Sequence, residues 1–236
     1  MVKLILLDYD GTISPIDVEE KMAFPSKDVL DAIKYAKRKV RVALVSTKAC
    51  DVLIKKVDEL DAYSCIGGAE VLFNDRSCID VDLVEKQDNA LEIINMIKND
   101  YEVSKVKVEV KRTLSGLIAG FSIDWRFSKK PSSLEKILNK SMLSGMRVIV
   151  YENHPFVDIL LSKKDKGDSV EFLRKIFNAD KVVYFGDSEN DLPAFLKSDI
   201  SVLVLNGYND HMKKFRVNEM VRFNDVGGLI RKYADN

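Results

Sequence analysis

The sequence predicts an α/β fold: a doubly wound parallel sheet interrupted by a small α+β insertion. Three observations carry that expectation. At both ends of the chain, short apolar runs alternate with amphipathic helical stretches, the order of a parallel sheet covered on both faces. Between about residues 82 and 161, apolar residues instead alternate with charged ones, as in half-exposed antiparallel strands. Several of the apolar runs end in acid-rich turns, at the sheet edge where open α/β folds bind ligands.

The elements follow in order. Val2–Leu7 is an apolar run that stops at Asp8, a strand buried on both faces. Ser26 is placed to cap a helix through Lys37, with Val29, Leu30, Ile33 and Ala36 on one face. Val40–Val45 is a second buried strand, meeting Ser46-Thr47-Lys48 and then a helix carrying Val52, Leu53, Lys56 and Val57. Ala62–Ile66, closed by Gly67-Gly68, is a third strand. A helix over Glu85–Asn99 and a strand over Val103–Lys111 open the insertion, the strand with Val106, Val108 and Val110 on one side. A strand over Leu117–Phe127, then Pro131-Ser132-Ser133 and a helix to Leu143, and strands Arg147–Tyr151 and Phe156–Leu161 around Asn153-His154-Pro155 complete it. Helix-strand-strand thus occurs twice, which suggests a four-stranded sheet with two helices on one face. The buried pattern then returns: helix Lys166–Asn178, strand Lys181–Phe185, a short helix from Leu192, strand Ser201–Leu205, strand Met220–Phe223 and a helix from Asp225. The expected division is a core of 1–81 with 162–236 and an insertion of 82–161.

The bulk numbers exclude several classes. The chain has 236 residues, 46% hydrophobic and 31% charged, an ordinary globular composition with length for a real core. Lys plus Arg and Asp plus Glu both number 37, which gives no electrostatic case for nucleic acid or an anionic membrane. The basic cluster of Lys34, Lys37, Arg38, Lys39 and Arg41 reads as a solvated helix end. No segment approaches the ~20 apolar residues of a membrane span, and the N-terminal run is too short for a signal peptide. Three cysteines, Cys50, Cys65 and Cys78, without a C-x-x-C pair argue against a disulfide framework or zinc site, and for reduced cysteines in a cytoplasmic protein.

Three strands end in chemically loaded turns: Asp8-Tyr9-Asp10-Gly11-Thr12, Ser46-Thr47-Lys48, and Gly186-Asp187-Ser188-Glu189-Asn190-Asp191. Carboxylates converging on one edge repel unless a cation lies among them, and oxygen ligands suit Mg²⁺. A carboxylate there can attack a phosphoryl group. A second, two residues on, can protonate the leaving oxygen and then deprotonate a water. Thr12, Ser46, backbone N–H groups and a Lys can hold the phosphoryl oxygens. Ser46 equally suits a helix N-cap, and capping the helix from Leu192 competes with a metal role for Asp191.

DYDGT after an apolar strand, Ser46 after the second strand, Lys166 opening a helix in Asp165-Lys166-Gly167-Asp168, and GDSEND after a later strand resemble, in order, the four motifs of the haloacid dehalogenase (HAD) superfamily of phosphatases. The resemblance covers the whole chain, with an α/β cap inserted between the second and third motifs on a Rossmann-like core. It implies Asp8 as nucleophile and Mg²⁺ ligand, and Asp10 as general acid/base with its carbonyl on the metal. It implies Ser46 and Lys166 at the phosphoryl group, Asp187 as a direct metal ligand, and Asp191, with Asn190, supporting the metal.

The cap position and the GDSEND form resemble Cof-type sugar phosphatases, with sucrose-phosphate and mannosyl-3-phosphoglycerate phosphatases as relatives. Val108-Glu109-Val110-Lys111 and Ile123-Asp124-Trp125-Arg126 resemble segments of trehalose-6-phosphate phosphatases, which implies sugar contacts from Glu109, Lys111 and Arg126. Alternating charges on such a strand equally suit a solvent face. The trehalose enzymes usually carry GDDxTDE, and most relatives have Gly-Arg where this chain has Thr47-Lys48. The implied function is Mg²⁺-dependent hydrolysis, through an aspartyl-phosphate, of a small sugar phosphate such as trehalose 6-phosphate, the leading single candidate, or mannosyl-3-phosphoglycerate; a monomer or homodimer is expected. Phosphoglycolate hydrolysis, a sugar phosphomutase and a non-catalytic sugar-phosphate sensor are the alternatives.

Overall fold

The structure is a computed structural model that describes residues 3–16, 18–152 and 154–236. Val2, read as the first residue of the opening strand, and Asn153, in the expected turn, lie outside the described residues. The chain divides into two compact units, one of residues 1–77 and 164–236, the other of 78–163.

In chain order, the first part holds β1 (Leu4–Leu7), α1 (Lys27–Lys37), β2 (Arg41–Val45), α2 (Cys50–Lys56), β3 (Ala62–Cys65), β4 (Glu70–Phe73) and β5 (Arg76–Ile79). The middle holds α3 (Val81–Glu85), α4 (Gln87–Asn99), β6 (Lys107–Arg112), β7 (Ile118–Asp124), α5 (Leu134–Leu143), β8 (Arg147–Val150) and β9 (Phe156–Leu160). The last part holds α6 (Lys166–Ile176), β10 (Val182–Gly186), α7 (Leu192–Lys197), β11 (Ile200–Leu205), β12 (Glu219–Arg222) and α8 (Val226–Asp235).

The larger unit is built on a sheet of order β12-β11-β10-β1-β2-β3-β4-β5, parallel from β12 through β3. Leu4, Ile5, Leu6 and Leu7 are all fully buried, because successive side chains point to opposite faces and helices cover both. Leu4, Leu6, Ala43, Val45 and Tyr184 pack with Val170, Leu173, Ala194 and Phe195 from α6 and α7. On α1 and α8, Val29, Ala32, Ile33 and Ile230 are buried. Ser26 caps α1 as its sequence position predicts, its Oγ accepting from Val29 N. The chain winds from β1 outward to β2 and β3, then returns to β10 on the other side of β1. That reversal is the topological switch point, where open α/β sheets bind ligands.

The smaller unit carries an antiparallel sheet of order β6-β7-β9-β8. Phe121, Ile123, Val157 and Ile159 on one face are fully buried, as are Ala90, Ile93 and Leu134 from α4 and α5. Glu109 pairs across with Ser122, and Ser122 with Asp158, which places these three on the opposite, polar face.

Four readings are corrected. Glu70–Ile79 forms a hairpin that the sequence reading passed over, so the core sheet is mixed, with β4 antiparallel to β3. Its turn is Asn74-Asp75, with φ of 46° and 57°, as a two-residue hairpin turn of the I′ type requires. The first strand of the insertion begins at Lys107 and not Val103, because the Asp100 carboxylate accepts from the Glu102 and Val103 N–H groups and holds a 3₁₀ turn there. On that strand Val110 is exposed while Lys111 is buried, so its charged face is not uniformly a solvent face. Cys50 and Cys65 form a disulfide, Cα atoms 5.4 Å apart, and Cys78 is free and exposed. The pair meets because α2 begins beside the end of β3, a proximity that spacing along the chain does not reveal. It removes the ground on which a reducing compartment was expected. Among the described residues, no helix is long and apolar enough to cross a membrane.

Candidate active site

The C-terminal ends of β1 and β10 place Asp8 and Asp187 on either side of the switch point. Asp8 is 4% exposed and Asp187 1%. Lys166 is the first residue of α6, whose N-cap Asp165 accepts from Gly167 N and Asp168 N in a capping box with Asp168. That cap fixes the start of the helix and so aims Lys166 inward. Its ammonium lies 2.8 Å from Asp8 Oδ1 and 2.7 Å from Asp191 Oδ1.

Asp191 is fully buried. Its Oδ1 accepts from Lys166 and from the Tyr184 hydroxyl at 2.6 Å. Its Oδ2 accepts from Asp187 N, Ser188 N and Ser188 Oγ. These donors fill the capacity of a carboxylate, so the geometry suits Asp191 to orienting its neighbours. It reaches back to the turn before it and does not cap α7. Asp187 accepts from Thr12 Oγ1 at 3.3 Å and Asn206 Nδ2 at 2.7 Å. Asp8 accepts from Lys166 on one oxygen. Both keep acceptor capacity for a further partner.

One ammonium therefore faces three buried carboxylates, so ionising all three would leave two negative charges uncompensated. Burial pushes the Asp8 carboxyl up to about 7, with Lys166 opposing and Asp191 and Asp10 adding to the shift. Burial, then Asp191 and Asp8, drive Asp187 well above the usual carboxylate range. Burial works against the Lys166 charge, but Asp191 and Asp8 outweigh it and hold its pKa up. Burial and the same carboxylates keep Tyr184 protonated, and so a donor. The three carboxylates offer oxygens within 4.8 Å of one another. A hard divalent cation beside Asp8 and Asp187 suits both the excess charge and the oxygen donor set.

The remaining residues fall into two groups. Asp10 is partly exposed, with Lys48 Nζ 3.2 Å from its Oδ2. Gly11 has φ of +75°, and a Cβ there would lie 2.1 Å from Asp187 Oδ2; only glycine lets the two loops approach this closely. Thr12 is buried and spends its hydroxyl on Asp187. Ser46 is buried after β2, its Oγ accepting from Lys48 N. Glu109, Lys111 and Arg126 belong to the smaller unit. Lys111 is engaged by Asp158 at 2.8 Å, Arg126 pairs with Asp124 at 2.8 Å, and Glu109 is half-buried on the polar strand face.

Three residues of this arrangement escape the sequence reading. Asn206 bridges Asp187 and the Gly11 carbonyl, and Asn209 Nδ2 donates to the Asp187 carbonyl. Asn206 is the first residue beyond β11, the same edge that carries Asp187, and that position was the available signal. Tyr184, read only as a strand residue, carried no signal in the sequence. Chemically, a half-exposed acid two residues from a buried carboxylate, itself held by a buried ammonium, can pair nucleophilic attack with proton transfer.

Residues 68–223 match the model of the sucrose-6F-phosphate phosphohydrolase family. A search of curated proteins finds no match. Among solved structures, a trehalose-6-phosphate phosphatase related protein is similar at 16% identity and TM-score 0.78, over 99% of this chain and 97% of that one. The C-terminal domain of trehalose-6-phosphate phosphatase from C. albicans is similar at 16% identity and TM-score 0.75, over 99% and 92%. A HAD-superfamily phosphatase from Bacteroides thetaiotaomicron is similar at 16% identity and TM-score 0.71, over 99% and 95%.

Proposed function

Because the chain belongs to the sucrose-6F-phosphate phosphohydrolase family, and so to the HAD-superfamily phosphatases, we propose that it hydrolyses a small sugar phosphate through a phosphorylated Asp8, with Mg²⁺ as cofactor. The observation that carries the reading is the buried Lys166 ammonium shared by Asp8 and Asp191, with Asp187 alongside. A pure binding site for an anion has no use for three buried carboxylates at the point of contact.

In this reading an Asp8 oxygen attacks phosphorus as the ester P–O bond breaks. Asp10, outside the buried cluster, gives its proton to the departing sugar oxygen. It then takes a proton from the water that attacks the phosphorylated Asp8, releasing inorganic phosphate and restoring both carboxyls. Lys166 holds Asp8 in place and favours its ionised form, and Asp191 and Tyr184 hold Lys166. In this reading Ser46 and Lys48, on the loop after β2, hold phosphoryl oxygens. When bound, Mg²⁺ supplies the positive charge that offsets phosphate and carboxylates together. Asp8 and Asp187 would hold it, with Asp191 setting the Asp187 loop and Asn206 orienting the Asp187 carboxylate. We assign selection of the sugar to the inserted unit, with the half-buried Glu109 on its polar strand face as the candidate contact.

The test is phosphate release from a panel of sugar phosphates, including sucrose 6F-phosphate, trehalose 6-phosphate and mannosyl-3-phosphoglycerate, with phosphoglycolate as a small non-sugar ester. Activity that needs Mg²⁺ and disappears with EDTA or in Asp8→Asn is expected. Silence across the panel in folded protein would overturn the proposal, and phosphoryl return to a sugar without phosphate release would make the protein a mutase.

A further inference from the structure

The loop after β2, which carries Ser46 and Lys48, is held from one side by a short and unusual segment. Ile66 N donates to the Lys48 carbonyl and Gly67 N to the Ser46 carbonyl, each at 2.9 Å. To turn both amides toward that loop the backbone takes three successive left-handed residues, with φ of 51° at Ile66, 65° at Gly67 and 98° at Gly68. For a β-branched residue such as Ile66 that conformation is an outlier that the surroundings must impose. The disulfide imposes it from one end: Cys65 immediately precedes Ile66, and Cys50 opens α2 four residues after Ser46. The start of α6 closes the other end. A Cβ on Gly68 would lie 2.9 Å from Ser169 Oγ and 3.0 Å from the Asp165 carbonyl, and Ser64 Oγ donates to Ser169 Oγ at 2.8 Å. The segment is therefore wedged between the loop that bears Ser46 and the helix terminus that bears Lys166.

We propose that the Cys50–Cys65 bridge is a positioning element of the phosphoryl-binding site, fixing Ser46 and Lys48 relative to Lys166 through the Ile66-Gly67-Gly68 buckle. The role given to Ser46 rests on the phosphatase reading; the mechanical coupling does not. Breaking the bridge takes two electrons and two protons from a dithiol reductant, which closes to its own cyclic disulfide and leaves two thiols. Both cysteines are fully buried, so reduction requires the loop to open and is slow in native protein. Once the bridge is lost, the strained Ile66 relaxes, its hydrogen bond and that of Gly67 weaken, and the Ser46 loop gains freedom while the carboxylate cluster is untouched.

The experiment uses the full chain carrying Cys78→Ser, which removes the exposed free thiol. Alkylation after denaturation without reductant, read by intact mass, should add nothing, and should add two groups after reduction. Hydrogen exchange at Ile66 and Gly67 should rise after reduction, and equally in a Cys50→Ala/Cys65→Ala variant kept well below its melting temperature. The Kd for inorganic phosphate in the presence of Mg²⁺, and KM for the best ester, should rise on the order of tenfold, below the ~100-fold cost of a 1 Å misplacement at reacting atoms. The turnover number should change less, a split that general destabilisation would not produce. Two free thiols before reduction would overturn the proposal. So would a bridge whose loss leaves amide exchange and phosphate affinity unchanged. If the oxidised protein hydrolyses no ester and binds no phosphate, the phosphatase reading fails, while thiol count and exchange still decide the coupling.

Discussion

The buried pair in the smaller unit gives a prediction whose size follows from geometry. Asp158 and Lys111 side chains are 2% and 4% exposed and 2.8 Å apart. Asp158 also accepts from Ser122 and, at 2.8 Å, from Tyr151. Replacing Asp158 by Asn keeps the shape and removes the counter-charge, so Lys111 stays buried opposite a neutral amide. Breaking a buried pair in this way costs about 3–5 kcal/mol. For a chain of 236 residues, each kcal/mol moves the melting transition by roughly 2–4 °C, so a fall of roughly 6 °C or more is expected. Burial tends to raise the Asp158 pKa, but Lys111, Ser122 and Tyr151 outweigh it and hold the carboxyl below its usual value of 3.8. A depressed carboxyl contributes stability that is present above the unfolded pKa and lost as pH falls through the folded one. Wild type should therefore lose stability below about pH 4, approaching 1.4 kcal/mol per pH unit from this group, and Asp158→Asn should lack that component. Thermal and urea unfolding followed by circular dichroism across about pH 2.5–7, a range chosen around the ordinary Asp value, measure both. A Lys111→Met/Asp158→Leu pair should recover most of the loss, since apolar replacement of a whole buried pair is often neutral. A cost under about 1 kcal/mol for Asp158→Asn, with an unchanged acid limb, would refute the reasoning.

Two further outcomes are expected from the larger unit. Mg²⁺ at about 100 times its Kd should stabilise the protein by about 2.7 kcal/mol, the shift should vanish in Asp187→Asn, and affinity should fall as pH drops through about 7, where protons compete for Asp8; titration calorimetry and thermal melts check this, and a shift that survives in Asp187→Asn would remove that residue from the site. Gly11→Ala should lose about 100-fold or more in activity and more than about 1 kcal/mol of stability, because its Cβ would strike Asp187 from a left-handed backbone; wild-type rates in this variant would show that the two loops need not approach.

Much of the fold is legible because buried strands announce themselves. Leu4–Leu7, 42–45 and Val182–Gly186 are apolar on both faces, a pattern with few other uses, and each ends where the chain turns polar. The β4–β5 hairpin was legible too, through Asn74-Asp75 between Val71-Leu72-Phe73 and Arg76, but β4 is only four residues long and half-buried and β5 is exposed throughout, so the pair lacks the two long apolar runs that mark a hairpin. Lys111 was misread for a related reason: alternation gives the face of a strand, not what covers that face.

By itself the sequence determines the alternating order of strands and helices, the turns at which carboxylates are presented, and the helix start that carries Lys166, because these follow from local periodicity and capping. The tertiary structure alone decides which charges share a cavity. Lys166 meets Asp8 across 158 positions and Asn206 meets Asp187 across 19, and Tyr184 reaches Asp191 only because both lie beneath the same turn. It also decides that Cys50 and Cys65 pair, since crossing from β2 to β3 brings together two residues whose separation of 15 carries no periodic signal. Such encounters depend on how strands line up in the sheet, and that register is set by the packing of the whole core.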